Sequence, residues 1–97
     1  MLYMVNKSPL MTNNLETCLE IAPASEPILL YEDGVYAAMN GGRFSEKLRE
    51  AMEQRSIYAL DADLEARGIQ RILEGVQVID YDGFVALVEE HDVVPWI

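Results

Sequence analysis

Four short apolar runs are the feature of this sequence that most constrains its fold. They lie at residues 2–5, 28–31, 57–60 and 76–79, and they are continuous rather than alternating with polar residues, except for Gln77 in the fourth. Continuous runs of this length are typical of strands that are buried on both faces of a sheet. A segment with helical periodicity follows each run. The alternation predicts one α/β domain over residues 1–97, with a small, mostly parallel sheet between two layers of helices and right-handed crossovers.

The predicted helices differ in how clearly they are marked. The first has an apolar stripe at i, i+3, i+4 and i+7 (Leu15, Cys18, Leu19, Ala22), a capping-box-like pair at Asn13 and Glu16, and a stop before Pro23. Further helical segments are expected over 35–39 and 44–54, from Asp61 to Gly68 with an apolar continuation at 69–73, and from Tyr81 to near His91. The last is expected to carry its apolar face on Tyr81, Phe84, Val85 and Val88.

The charge balance excludes one class of partner. The chain has 7 Lys and Arg against 17 Asp and Glu, which gives a formal net charge of -10 at pH 7. Such a chain repels a phosphate backbone instead of releasing its counterions. We therefore expect no direct binding to nucleic acid.

The amino-terminal residues predict the compartment. Residues 1–5 are apolar, but Asn6, Lys7 and Pro9 follow at once. This segment is too short for the core of a signal peptide and for a membrane span of about 20 residues. We expect a cytoplasmic protein without membrane contact.

Polar residues follow each predicted strand, where open α/β sheets bind their ligands. They lie at 6–8, 32–34, 61–63 and 80–82, and no G-x-G-x-x-G or Walker-type loop accompanies them. The carboxylates of Asp33, Asp61 and Asp80 or Asp82 suit a hard cation such as Mg²⁺, yet all precede helices, where aspartate more often caps free amide groups. Capping is the favoured interpretation, with no cofactor and no metal site.

Cys18 is the only cysteine, which rules out a disulfide within the chain and leaves a free thiol to explain. A thiolate at this position is able to accept a persulfide sulfur and pass it on, especially if Lys7 approaches and lowers its pKa. Its place in the apolar stripe instead indicates inert core packing. His91, the only histidine, is a less favoured candidate for a base that would activate Cys18; a solvated residue at a helix end is the simpler interpretation.

The tail, residues 93–97, is apolar where a chain end is normally polar and frayed. It is expected to dock either on its own domain or on a partner, with Trp96 as the possible partner contact. Hydrophobic residues make up 51% of the chain. That share is slightly high for so small a globule and favours partial cover by another chain.

Several segments together resemble the DsrH/TusB family. They are residues 4–9, 29–38, 58–60 with 63–64 and 66–68, 78–81 with 83–85, and Trp96 near the end. They span nearly the whole chain in the family's order and spacing. Each segment alone is a weak signal, and their combination is specific.

The resemblance implies a domain of the DsrE/DsrF type in a cytoplasmic sulfur-relay complex. Two related subunits, DsrE/TusD-like and DsrF/TusC-like, would complete a heterohexamer that exchanges persulfide sulfur with DsrC/TusE-like and TusA-like carriers. The relay serves 2-thiolation of the tRNA wobble uridine in the TusB branch and sulfur oxidation in the DsrH branch. Cys18 matches a cysteine that is characteristic of DsrH, which favours the DsrH branch.

Three hypotheses follow. In neither of the first two is the chain an enzyme by itself. In the first, Cys18 is the catalytic residue and holds a persulfide within the complex. In the second, the chain is a purely structural subunit with an unreactive Cys18. The third, less favoured hypothesis is an independent small-molecule domain that uses the carboxylates at the strand ends.

Overall fold

The computed structural model describes all 97 residues, Met1–Ile97. Strands and helices alternate as the apolar runs predict. The elements are β1 (Leu2–Val5), α1 (Asn14–Ile21), β2 (Ile28–Leu30), a 3-10 helix (Glu32–Ala38), α2 (Ser45–Ala51), β3 (Ile57–Leu60), α3 (Asp61–Ala66), β4 (Gln77–Ile79), α4 (Tyr81–Glu90) and β5 (Val93–Trp96). The longest helix has 10 residues, and none is long and apolar enough to cross a membrane.

The sheet has five strands in the order β4-β3-β2-β1-β5, and all of them are parallel. The first four strands therefore add in one direction, and α4 returns the chain to the far side of β1. Apolar residues of α1, the 3-10 helix, α2 and α3 join one core, whereas Leu87 of α4 joins a second. Helices thus lie on both faces, as right-handed crossovers require when the strand order reverses. The predicted α/β/α architecture is confirmed.

The two faces of the sheet are covered unequally. The larger core contains 16 buried residues, including Tyr3, Val5, Ile28 and Leu30 on the strands. The smaller core on the opposite face consists of Leu2, Leu29 and Leu87, with Met4, Tyr58, Ile79 and Phe84 packed around it. On this face, α4 is therefore the one helix that packs against the five-stranded sheet.

The prediction for the buried face of α4 is only partly correct. Leu87 is the residue of α4 that is buried, and Phe84 packs beside it. Tyr81 and Val88, which were expected in the core, are 69% and 38% exposed. The helix carries apolar residues around most of its circumference, so the 3.6-residue period alone does not select one face.

Two helix boundaries also differ from expectation. Asn13 precedes α1, but its side chain makes no capping hydrogen bond because its backbone (φ −102°, ψ 20°) is not extended as a capping residue requires. The apolar residues 69–73 do not continue α3. Ile72 instead pairs with Met39 in an isolated antiparallel bridge, and the Leu73 amide donates to the Ala38 carbonyl at 2.8 Å.

The tail forms a fifth strand, which the sequence patterns did not identify as such. β5 pairs with β1 in the register Leu2 with Val93 through Val5 with Trp96. The indole Nε1 of Trp96 donates to Thr17 Oγ1 at 3.1 Å, and its ring meets Tyr3 edge-on at 6.1 Å between centroids. Of the two expected docking modes, the structure has the tail on its own domain.

Gly34 fixes how closely the 3-10 helix approaches β1. A Cβ atom at this position would lie 2.2 Å from the Val5 carbonyl oxygen, far inside van der Waals contact. The obstacle is backbone of a central strand, which has no freedom to move aside. Only glycine allows the chain to turn from the end of β2 onto the neighbouring strand.

Gly34→Ala is therefore expected to destabilise the fold by about 3 kcal/mol or more, in the range of severe overpacking. Gly41→Ala is the matched control, because a Cβ there meets nothing within 4 Å and the cost is limited to about 1 kcal/mol for its positive φ. Urea denaturation of both variants measures the difference, and equal losses would contradict the steric explanation.

Candidate functional site

The carboxyl ends of β1, β2 and β3 bring three of the four predicted polar clusters together. Asn6, directly after β1, donates from Nδ2 to Glu32 Oε1 at 3.4 Å. Glu32, two residues after the last residue of β2, donates its backbone amide to Asp63 Oδ2 at 2.7 Å. Parallel strands end at one edge of a sheet, so this convergence follows from the topology. The fourth cluster, 80–82, follows β4 at the same edge, but no side-chain hydrogen bond or ion pair joins it to the other three.

Asp63 supports an unusual backbone conformation. Glu32 is the only non-glycine residue with a positive φ, at 47°, and this region costs an L-residue roughly 1–2 kcal/mol. The hydrogen bond from its amide to the Asp63 carboxylate is charge-assisted and offsets part of that cost. The carboxylate is thereby used to hold the turn that starts the 3-10 helix.

Arg67 neutralises the same cluster. Its guanidinium contacts Asp33 Oδ1 at 2.8 Å and lies 3.7 Å from Asp63 Oδ1, and it also donates to the Asp63 carbonyl at 3.1 Å. Sequence reasoning missed this residue as a partner of the strand-end acids. The available signal was its spacing four residues after Asp63 on a predicted helix.

The capping interpretation holds for one aspartate. Asp80 precedes α4, and its Oδ1 accepts a hydrogen bond from the Gly83 amide at 2.8 Å. Asp33 pairs with Arg67 instead of capping, and α3 has no side-chain cap because Leu60 occupies that position. No three or more His, Cys, Asp or Glu side chains cluster closely enough to hold a metal ion.

Cys18, the predicted sulfur carrier, lies inside the larger core. It belongs to the buried side of α1 with Leu15 and has no exposed surface. Burial raises the pKa of the Cys18 thiol to about 11, although the Arg55 guanidinium acts in the opposite direction. The thiol is therefore protonated at neutral pH and is a poor nucleophile as it stands.

The cation near Cys18 is not the one that sequence reasoning considered. Arg55, rather than Lys7, is the residue whose positive charge lowers the pKa of the thiol. Arg55 is itself buried and donates to the carbonyl oxygens of Ala22 at 3.3 Å and Glu26 at 3.2 Å. Its main role is to satisfy the carbonyl groups that follow α1. Nothing in the spacing of the arginines predicted this contact.

His91 and Cys18 do not form a catalytic pair. Cys18 packs in the larger core, whereas His91 ends α4, whose buried residue belongs to the core on the opposite face of the sheet. The sheet therefore separates the imidazole from the thiol. Trp96 is half-buried between Tyr3 and Thr17, and its use as a partner contact stays a prediction.

Comparison with solved structures defines the class of fold first. The ychN protein from E. coli matches with a TM-score of 0.81 at 18% identity, covering 97% of each chain. A protein of unknown function from Methanobacterium thermoautotrophicum, MTH1491, matches with a TM-score of 0.67 at 17% identity, covering 97% of this chain and 95% of that one. At these identities the likeness establishes a shared α/β fold.

Sequence comparison then gives the family. A family model described as "DsrH like protein" matches residues 7–94. Proteins named TusB from Shigella flexneri and from Escherichia coli O1:K1 are each 39% identical over 92 residues, which is 94% of this chain and 94% of each relative. The chain belongs to the DsrH/TusB family, as the resemblance in its sequence predicted.

Asp63→Ala is expected to lower the free energy of unfolding by about 2 kcal/mol, because it removes a charge-assisted hydrogen bond and an ion pair together. Asp61→Ala is the matched control: Asp61 lies in the first turn of the same helix, is exposed and carries no ion pair. Loss of the favourable helix-dipole term there costs at most about 1 kcal/mol. Urea denaturation compares the two variants, and a larger loss for Asp61→Ala would contradict the role given to Asp63.

The buried thiol predicts a loss of stability at alkaline pH. The pKa of Cys18 rises from 9.0 to about 11 on folding. The contribution of the protonated thiol to the free energy of unfolding is therefore complete below pH 9 and is lost as pH rises through about 11. In that window the unfolded chain releases the proton and the folded chain retains it, a difference on the order of 2 kcal/mol. Urea denaturation of wild type and Cys18→Ala at pH 8 and above measures it, with tyrosine titration common to both. Parallel pH profiles would contradict the prediction.

Proposed function

We propose that this chain is a supporting subunit of a cytoplasmic sulfur-relay complex, in which Cys18 is core packing and a sister subunit carries the persulfide. Membership of the DsrH/TusB family supports the first part. The second part depends on one observation: Cys18 is fully buried, with a pKa of about 11. Attack on a persulfide needs an accessible thiolate. A covered, protonated thiol meets neither requirement.

The proposed partners are a DsrE/TusD-like subunit with the sulfur-accepting cysteine and a DsrF/TusC-like subunit. DsrC/TusE-like and TusA-like carriers would exchange sulfur with the assembled complex. The 39% identity to TusB proteins over 94% of the chain favours 2-thiolation of the tRNA wobble uridine as the end point. With a net charge of -10, this chain leaves contact with tRNA to other components.

One observation favours a second candidate function. The positive charge of Arg55 lowers the pKa of the Cys18 thiol against the effect of burial. If the face formed by α1 and α2 opened in the complex, Arg55 would stabilise the thiolate, and Cys18 would act as a persulfide carrier as in the sulfur-oxidation branch. The cost of that opening is the loss of a contact at the centre of the larger core.

Replacement of the endogenous subunit separates these functions. In a bacterial strain whose own TusB is deleted, this chain is expressed together with its two sister subunits, and 2-thiouridine is quantified in tRNA by mass spectrometry. The proposal expects wild type and Cys18→Ala to restore 2-thiouridine to the same level. The mass of each purified subunit after incubation with a persulfide donor is expected to show added sulfur on a sister chain only.

The outcomes are distinct. Added sulfur on this chain, together with loss of thiolation in Cys18→Ala, would establish the carrier function and refute the structural one. Failure of the wild-type chain to co-purify with the sister subunits would refute the proposed assembly itself. Leu15→Ala, a truncation one helical turn before Cys18 on the same buried face, controls for simple loss of core packing in α1.

A further inference from the structure

The two edges of the sheet differ in how well they are protected. β5 forms one edge and contains Pro95, which has no amide hydrogen to offer to an incoming strand. β4 forms the other edge with the residues Gln77, Val78 and Ile79. It contains no proline, lysine or other charged residue, and Val78 is 48% exposed. The backbone of β4 is thus open to pairing while that of β5 is interrupted.

An apolar groove runs beside this open edge. It has a volume of about 280 Å³ and lies between α3, the loop after it and β4. Its apolar residues are Leu64, Ile69, Ile72 and Val78. A strand that paired with β4 would place every second side chain on the side of this groove, because side chains alternate between the two faces of a sheet.

The charges at the groove have one sign. Asp61 and Glu65 line it, both are exposed, and neither belongs to any of the ion pairs of the chain. No lysine or arginine lines this groove. The other two grooves each contain basic residues, Lys47 and Arg55 in one and Arg67 and Arg71 in the other. The groove at β4 is therefore complementary to a cationic occupant.

We propose that β4 and this groove receive an extended strand of one sister subunit, in which apolar side chains face the groove and a lysine or arginine faces Asp61 and Glu65. The inference rests on the proposed function and locates its assembly surface. Backbone pairing supplies affinity, and the apolar groove with its acidic rim supplies selectivity. Because β4 has three residues, the added strand is short and the groove contacts are essential.

The exposed apolar residues of α4 are the competing surface. Tyr81 and Val88 are exposed, but none of the three grooves lies on that helix, and a helix offers no unpaired backbone to a partner. The surface of α4 therefore serves as the control surface in the test.

Hydrogen exchange of the wild-type complex tests the location without any substitution. Backbone amides of residues 77–79 are compared in the isolated chain and in the purified complex with the two sister subunits. We expect exchange in this segment to slow at least tenfold on assembly. Unchanged exchange at 77–79 in a complex that does form would overturn the inference and leave the proposed function intact.

Three substitutions test the contacts. Val78→Lys is expected to weaken assembly about tenfold or more, because it places a charge at the groove and on the pairing edge. The controls Val88→Lys on α4 and Ile21→Lys on α1 make the same change at positions that are 38% and 66% exposed, and no change in affinity is expected. Circular dichroism and thermal unfolding establish that each variant is folded.

A conservative change tests the charge. Glu65→Gln is expected to weaken assembly about two- to fivefold at low salt and less at high salt, as for a partly exposed ion pair. Glu89→Gln on α4 is the matched control, with no expected effect. Equal salt dependence of wild type and Glu65→Gln would remove the cationic occupant from the proposal.

The remaining outcomes are also decisive. If Val88→Lys abolishes assembly and Val78→Lys does not, the partner sits on α4 and the inference is wrong. If the isolated chain dimerises and protects 77–79 by itself, the occupant is a second copy and not a sister subunit. If wild type does not assemble with the sister subunits, the proposed function fails together with this inference. If the complex does form, hydrogen exchange at residues 77–79 shows whether the proposed location alone is wrong.

Discussion

A parallel sheet has to be shielded from water on both faces, and this chain divides that shielding unequally. On one face, four helical segments pack against the central strands and form with them a core of 16 buried residues. On the other, a single helix with one buried residue, Leu87, covers the whole sheet. The stability of β1 and β2, whose Leu2 and Leu29 point to the thin side, therefore depends strongly on the position of that helix.

The edge of the sheet where related folds bind ligands is used here for structure. Glu32 adopts a conformation that few side chains tolerate, and Asp63 and Arg67 hold the neighbouring turn in place. The carboxylates of Glu32, Asp33 and Asp63 are already engaged, and Asp61 is the carboxylate after β3 that stays unpaired, so this edge offers few free polar groups for a small-molecule site. That arrangement weakens the hypothesis of an independent ligand-binding domain. It agrees better with a chain whose role is to be assembled with others.

Much of the fold could be predicted from the sequence because buried parallel strands leave an unambiguous signal. Runs such as Leu2–Val5 and Ile57–Leu60 mark the strands almost to the residue. The buried face of α4 was predicted only in part, since apolar residues surround that helix. The strand at Val93–Trp96 was not predicted, since a short tail containing proline resembles no central strand. The environment of Cys18 was equally inaccessible: Arg55 lies 37 positions away in sequence, and only the tertiary fold brings it to the thiol.

Pro95 has a consequence for how such a protein avoids fibres. A sheet that accepts strands at both ends can propagate without limit, and this is the usual route to open-ended aggregation. Here one end of the ladder carries a residue that has no amide hydrogen. Strand pairing at the opposite edge, β4, then stops after one addition. The only edge that this chain still exposes is β5, where Pro95 prevents another strand from pairing.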